Sequence, residues 1–109
     1  MAQLSPAYVI DGLTRRGVPL VAAQGLTGNY SVESQGLNTG INEIAPVVEG
    51  SRGGYGLAQW TGPRRRQFEA FARSKGYALD DPEAQLDFTV WELNNTETSA
   101  RDAIYGAST

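Results

Sequence analysis

The chain has 109 residues, of which 40% are hydrophobic and 19% charged, with a net charge of −3. That composition suits one domain with one hydrophobic core, and the acidic balance makes nucleic acid a poor partner. With neither cysteine nor histidine, disulfides, thiolate metal sites and imidazole acid–base chemistry are excluded, so proton transfer falls to carboxylates, Lys75 or tyrosines.

The N-terminal "MAQLSPAYVIDG" has no basic n-region and no apolar h-region, so no signal peptide is expected. The longest apolar run, "VPLVAA", is too short to span a membrane. Ser5-Pro6 starts a helix, with Ser as cap and Pro at the first helical position. Tyr8, Val9 and Leu13 come next at helical spacing, and Gly17 ends the helix. Pro19 opens a second helix whose Leu20, Ala23, Leu26, Thr27 and Tyr30 share a face. Gly25 and Gly28 interrupt it, and Gly36 is its expected C-cap, which leaves Glu33 in the last turn.

From Asn38 to about Gly54 no period is visible, and "GYGLAQW" after it holds at most a short extended piece between glycines. "TGPRRRQFEAFARSKG" reads as a third helix capped by Thr61 or Gly62, with Phe68, Phe71 and Ala72 facing inward. "DDPEAQLDFTVWELNN" is the fourth, capped by Asp81, with Leu86, Val90 and Leu93 on one stripe and Phe88 and Trp91 as core beside it. A short fifth helix runs from Thr98 to Tyr105. The expected fold is therefore mostly α: about five helices around a small β-like or irregular insert at residues 38–60.

Glu33 is the residue this pattern makes conspicuous. The C-terminal end of a helix carries partial negative charge, so a carboxylate there is repelled and tends to hold its proton. An acid that stays protonated near neutral pH is able to act as a general acid. Tyr30, Leu37, Tyr55 and Trp60 are the candidates for an apolar wall around it. The bland alternative is a solvated glutamate at a helix end, and "GYGLAQW" taken alone is a Gly-rich turn with a core Trp.

Taken together, "VESQGL", "GGYGLAQWTGPRRRQFEAFA" and "QLDFTVWEL" closely resemble the phage tail lysozyme domain of the lysozyme-like superfamily, related to goose-type lysozymes and lytic transglycosylases. The resemblance spans roughly Ala7 to Ile104 and implies an α+β lysozyme-like fold. It implies that Glu33 is the general acid and that "GYGLAQW" floors a sugar cleft, with Ser34, Tyr55, Gly56, Gln59 and Trp60 as the substrate-binding set. It further implies the substrate, the β-1,4 bond between N-acetylmuramic acid and N-acetylglucosamine in peptidoglycan glycan strands. No metal or organic cofactor is implied.

Glycosidases commonly use two carboxylates. The candidates for the second are Glu43 and Glu49, each of which could equally be a solvated loop charge. Some relatives manage with one glutamate, the substrate's own groups doing the second job, so a lytic transglycosylase giving 1,6-anhydro products is the alternative. A non-catalytic peptidoglycan-binding or tail structural domain is the rival from another class. Arg64, Arg65 and Arg66, and Arg52 with them, read either as a solvated face or as a grip on peptidoglycan carboxylates. By resemblance such a domain works on a phage tail or secretion-type assembly that carries it to the bacterial wall. Residues 1–109 are expected to be a single such domain. The stop at "YGAST", soon after the fifth helix, suggests a truncated C-terminus or a piece of a longer protein.

Overall fold

A computed structural model describes residues 3–42 and 53–107. Glu43, Glu49 and Arg52 lie outside the described residues. Five helices come in chain order: α1 Pro6–Arg15, α2 Leu20–Glu33, α3 Gly62–Ser74, α4 Pro82–Asn95 and α5 Thr98–Ala107. Pairing among the described residues is confined to isolated antiparallel bridges, Gln3 with Asn38, Asn42 with Tyr55 and Tyr55 with Trp60. The mostly α expectation therefore holds.

The helix starts are set by local chemistry. The Ser5 side chain accepts from the Tyr8 N–H at 3.1 Å, and Pro6 occupies the first turn where its missing N–H costs nothing. Asp81 does the same for α4, accepting from the Glu83 N–H at 2.9 Å. Gly76, at φ +76°, closes α3 as expected. The end of α2 differs from expectation: the cap residue is Ser34, and Gly36 lies two positions further on.

α4 is the hub. It packs against α1, α3 and α5, while α2 packs against α1 and α5. Two apolar clusters meet on it. Leu86 and Leu93 join Val9, Leu13, Ala23, Leu26 and Tyr30 in the first, and Ala84 and Phe88 join Trp60, Phe68 and Ala72 in the second. A helix buried from several sides shows no clean two-faced pattern, which is why α4 carries apolar side chains beyond its single expected stripe. The second cluster is aromatic: Trp60 stacks on Phe68 with centroids 4.5 Å apart and meets Phe88 edge-on at 5.4 Å. Such pairs each add about 0.5–1.5 kcal/mol beyond area burial. Phe88 is fully buried, and Trp91 stacks on its outer side at 5.6 Å, half-exposed.

The C-terminal end of α1 is tied to the start of α4 by charge. Arg16 donates to Glu83 at 2.8 Å and to Asp87 at 2.7 Å, and the Tyr8 hydroxyl also donates to Glu83. The Tyr8 hydrogen bond, then the Arg16 contacts, hold the Glu83 carboxyl below the usual glutamate range. A depressed carboxylate stabilises the fold above its unfolded pKa, and that contribution is lost as pH falls through the folded value. Tyr8→Phe is therefore expected to lower the unfolding temperature by a few degrees at most at pH 7, since the site is partly solvated. The gap to wild type should shrink below about pH 4.3. A melting series against pH checks both; a gap that widens on acidification would overturn this account of Glu83.

Candidate active site

Glu33 is the last residue of α2. The backbone immediately beyond it is unusual. The N–H of Gly36 returns to the Ser31 carbonyl at 2.8 Å, closing the helix with a six-to-one bond. Gln35, Gly36 and Leu37 all have positive φ, at 54°, 94° and 66°. The left-handed position that glycine normally fills is taken by Gln35. A non-glycine residue there costs on the order of 1–3 kcal/mol and persists only where the surroundings enforce it. The enforcement is visible: Leu37 is buried in the first cluster, its carbonyl accepts from the Leu4 N–H at 2.9 Å, and Ser34 donates its hydroxyl to the Tyr30 carbonyl. Glu33 therefore stands on a rigid corner.

Its side chain is exposed and makes no hydrogen bond or ion pair with any described residue. Partial burial pushes the carboxyl above the usual glutamate range, and the Arg64 guanidinium opposes that shift. The helix terminus beneath acts in the same direction as burial.

"GYGLAQW" is a tight hairpin. Tyr55 and Trp60 exchange both backbone hydrogen bonds at 3.0 Å, and Gly56 turns the chain at φ +76°. Two residues nail it down: Leu57 enters the first apolar cluster and Trp60 the second, both fully buried. The chain leaving Glu33 docks on this hairpin. The Ile41 carbonyl accepts from the Gly56 N–H at 2.9 Å and from the Gln59 side-chain amide at 3.3 Å. Gln59 is the third non-glycine residue with positive φ among the described residues, at 50°, so all three flank this junction.

One side chain on α4 holds the junction from below. Gln85 is fully buried; its carbonyl oxygen accepts from the Leu57 N–H at 2.9 Å, and its amide donates to the Thr39 and Leu79 carbonyls at 2.7 and 2.8 Å. A Cβ on Gly56 would stand 2.8 Å from the Gln85 oxygen, so only glycine lets the two approach.

A second buried polar residue of α4, Glu92, takes the indole N–H of Trp60 at 2.9 Å and two nitrogens of Arg64 at 2.8 Å. Arg64 also meets Glu97 at 3.5 Å. Between α2, α4, α5 and the start of α3 lies a cavity of about 210 Å³, lined by Leu26, Tyr30, Leu93 and Ile104 on its apolar side and by Arg64, Glu92 and Glu97 on its polar side.

Several sequence-based placements change. The sequence puts Trp60 in the cleft wall, but it has no exposed surface; stacking and the Glu92 bond commit it to the core. Ser34 and Gly56 are likewise enclosed, with the Ser34 hydroxyl and the Gly56 N–H spent on the chain's own carbonyls, so they shape the site. Tyr55 and Gln59 keep partial exposure. The Gln59 amide nitrogen is engaged with the Gly56 and Ile41 carbonyls, and Tyr55 stacks on Phe68 at 6.4 Å. The apolar wall around Glu33 is thinner than the sequence suggests, because Tyr30 and Leu37 are turned into the core. The arginine triplet is neither a uniform solvated face nor a uniform grip: Arg64 pairs with Glu92, Arg65 is buried against Glu69 and the Gly53 carbonyl, and Arg66 is exposed.

Sequence reasoning misses Gln85 and Glu92. A signal for them exists: polar residues 85, 89 and 92 recur at spacings of four and three inside a helix whose other buried positions are apolar. Among the described residues no cluster of three or more acidic side chains could hold a metal ion, and no helix is long and apolar enough to cross a membrane.

The domain is mostly helical, with a carboxylate on a braced helix end and a glycine-bounded hairpin on which the chain leaving it docks. The model of the phage tail lysozyme family matches residues 6–109, and the chain belongs to that family. No curated protein matches the chain. Membership carries the general activity of the family, cleavage of peptidoglycan, and an association with phage tails.

Proposed function

We propose that the protein hydrolyses the β-1,4 bond between N-acetylmuramic acid and N-acetylglucosamine in peptidoglycan, with Glu33 as general acid. The observation that carries this reading is the state of Glu33. Its carboxyl has no partner among the described residues, is raised above its ordinary range by partial burial, and stands on a corner of three successive left-handed residues. Exposed and unpartnered among the described residues, the carboxyl is open to a substrate, and the corner beneath it fixes where it stands.

In the reaction Glu33 passes its proton to the glycosidic oxygen as the bond from that oxygen to the anomeric carbon breaks. The leaving sugar departs as an alcohol, and positive charge develops on the ring left behind. Water then adds to the anomeric carbon and surrenders a proton to a carboxylate, Glu33 in its ionised form or Glu43 or Glu49. Tyr55 and Gln59 offer the partly exposed edge of the hairpin to the glycan. On a phage tail, or an assembly like one, this would open the wall locally.

Mass spectrometry of purified peptidoglycan after digestion tests the reading. Muropeptides with reducing N-acetylmuramic ends are expected. Products lighter by one water, with 1,6-anhydro ends, would make the enzyme a lytic transglycosylase and remove the need for a second carboxylate. Glycan affinity without product would make it a binding module.

A further inference from the structure

We propose that the groove between α3 and α4 is a second, non-catalytic glycan site, which takes an N-acetylmuramic unit with its sugar face on Trp91 and its carboxylate on Lys75. The choice of ligand rests on peptidoglycan as the substrate; the groove itself shares no residue with the site around Glu33.

The groove has a volume of about 380 Å³, within the range of small-molecule sites, and is lined by Phe71, Lys75, Asp87, Val90, Trp91 and Arg16. Positions 87, 90 and 91 are neighbours on one face of α4, and Phe71 and Lys75 stand four residues apart at the end of α3. Trp91 lies nearly parallel to Phe88, at an interplanar angle of 16°, and Phe71 flanks it at 6.2 Å. These rings hold the indole in place, yet it stays half-exposed. A fixed indole in contact with water is a platform for the apolar C–H face of a sugar, because the negative face of the ring attracts polarised C–H groups.

The charges around this platform are uneven. Arg16 is spent on Glu83, Asp87 and the Gly12 carbonyl. Lys75 is exposed and makes no ion pair with any described residue; its ammonium stands over the Phe71 ring, 5.2 Å from the centroid. In a chain of net charge −3 the groove therefore presents an uncommitted cation beside an aromatic face. Asp87, partly exposed, adds an acceptor for a hydroxyl or acetamide N–H. An N-acetylmuramic unit brings the matching parts: a ring, a carboxylate and such donors. A protein partner fits less well. It needs roughly 800 Å² from each side, and the apolar part of the groove is three half-buried side chains. The apolar residues that stand furthest into water, Leu20, Val21 and Val32, are on α2, outside the groove.

α3 starts beside the hairpin and reaches the groove in its last turn, roughly 15 Å further along its axis. A glycan held there stays close to the hairpin, which raises its effective concentration at the acid.

The test is a two-dimensional NMR titration of the full chain. The probes are the disaccharide N-acetylglucosaminyl-N-acetylmuramic acid and, separately, uncharged di-N-acetylchitobiose. The chain has two tryptophans, so its indole N–H signals are those of Trp60, buried and bonded to Glu92, and of Trp91 in the groove. The Trp91 signal should move, and the muramic disaccharide should bind about 5-fold tighter than the uncharged one at low salt. Lys75→Glu should erase that preference, and Trp91→Leu should weaken both probes by about 10-fold. Should Trp91→Leu fail to fold, Lys75→Glu decides alone, since its side chain is exposed. A Trp91 signal unmoved by both sugars overturns the proposal, as does a carboxylate preference that is absent or survives Lys75→Glu. A Trp91 signal that moves with protein concentration alone marks a second copy of the chain as the occupant and also overturns it. Shifts at the Gln59 side-chain amide with none at Trp91 overturn the second site and leave the reading of Glu33 standing. Carboxylate-dependent shifts at Trp91 in a protein that releases no product from peptidoglycan support the second site and overturn the hydrolase reading instead.

Discussion

Glu33→Gln is expected to reduce peptidoglycan cleavage by about 10²–10⁴-fold, the range a positioned general acid contributes. Glutamine preserves the size and exposure of the side chain and cannot give up a proton to a glycosidic oxygen. No described residue bonds to the Glu33 carboxylate, so no described contact is broken by the change. The effect on stability should even be slightly favourable at neutral pH. A carboxyl whose folded pKa is raised stabilises the fold while protonated, and that contribution is lost as pH rises through the folded value. Above it, an ionised group at the negative end of α2 costs a few tenths of a kcal/mol, tempered by its exposure. Glutamine removes that cost. A large loss of rate together with an unchanged or slightly raised melting temperature is the pattern of a residue kept for chemistry. A rate near wild type would sink the assignment. In the wild-type enzyme activity should fall as pH rises through the Glu33 value, because the acid is then spent.

Gln85→Leu is expected to be the most destabilising single change of similar volume. It removes the bonds that one side chain makes to the Leu57 N–H and to the carbonyls of Thr39 and Leu79. Each buried polar group left without a partner costs about 1–3 kcal/mol; two of these contacts are buried and the third, to Leu79, is part-buried, so the total is on the order of 3–6 kcal/mol. At about 4–8 °C per kcal/mol for a domain near this size, the melting temperature should drop by about 15 °C or more. Activity should fall further than the folded fraction does. Gln85 joins the hairpin at Leu57 to the segment that leaves Glu33 at Thr39, so its loss loosens both sides of the site at once. Gln85→Glu separates the parts: the carboxylate still accepts from Leu57 but can no longer donate to the two carbonyls. Thermal unfolding of the two variants, read beside their specific activity, checks this. A midpoint within about 3 °C of wild type for the leucine variant would show that water or relaxation replaces the glutamine, and the bracing role would fall.

Much of this molecule is legible in its residues alone. Ser5-Pro6, Asp81-Pro82 and Gly76 set helix limits through bonds within a few residues of themselves, so local chemistry is enough to read them. The position of Glu33 in the last turn of α2 rests on the same kind of signal, and so does the expectation of a proton-holding acid. The motifs in "VESQGL" and "GYGLAQW" carry the family, and the match over residues 6–109 agrees.

The residues alone leave open which side chain faces which. Trp60 reads equally as a cleft wall or as core until Phe68, Phe88 and Glu92 are seen around it. Arg64, Arg65 and Arg66 are adjacent and chemically identical, yet one is clamped by α4, one is buried and one is exposed, because a helix turns each about 100° from the last. Gln85 and Glu92 look like ordinary polar residues of a helix; partners 28 to 46 residues distant in the chain make them the supports of the site. Local sequence determined the helices, most of their caps and the place of Glu33 at the end of α2, because those depend on near neighbours. Tertiary structure alone decided which polar groups were buried and what they held, because desolvation and pairing are settled by residues far apart in the chain.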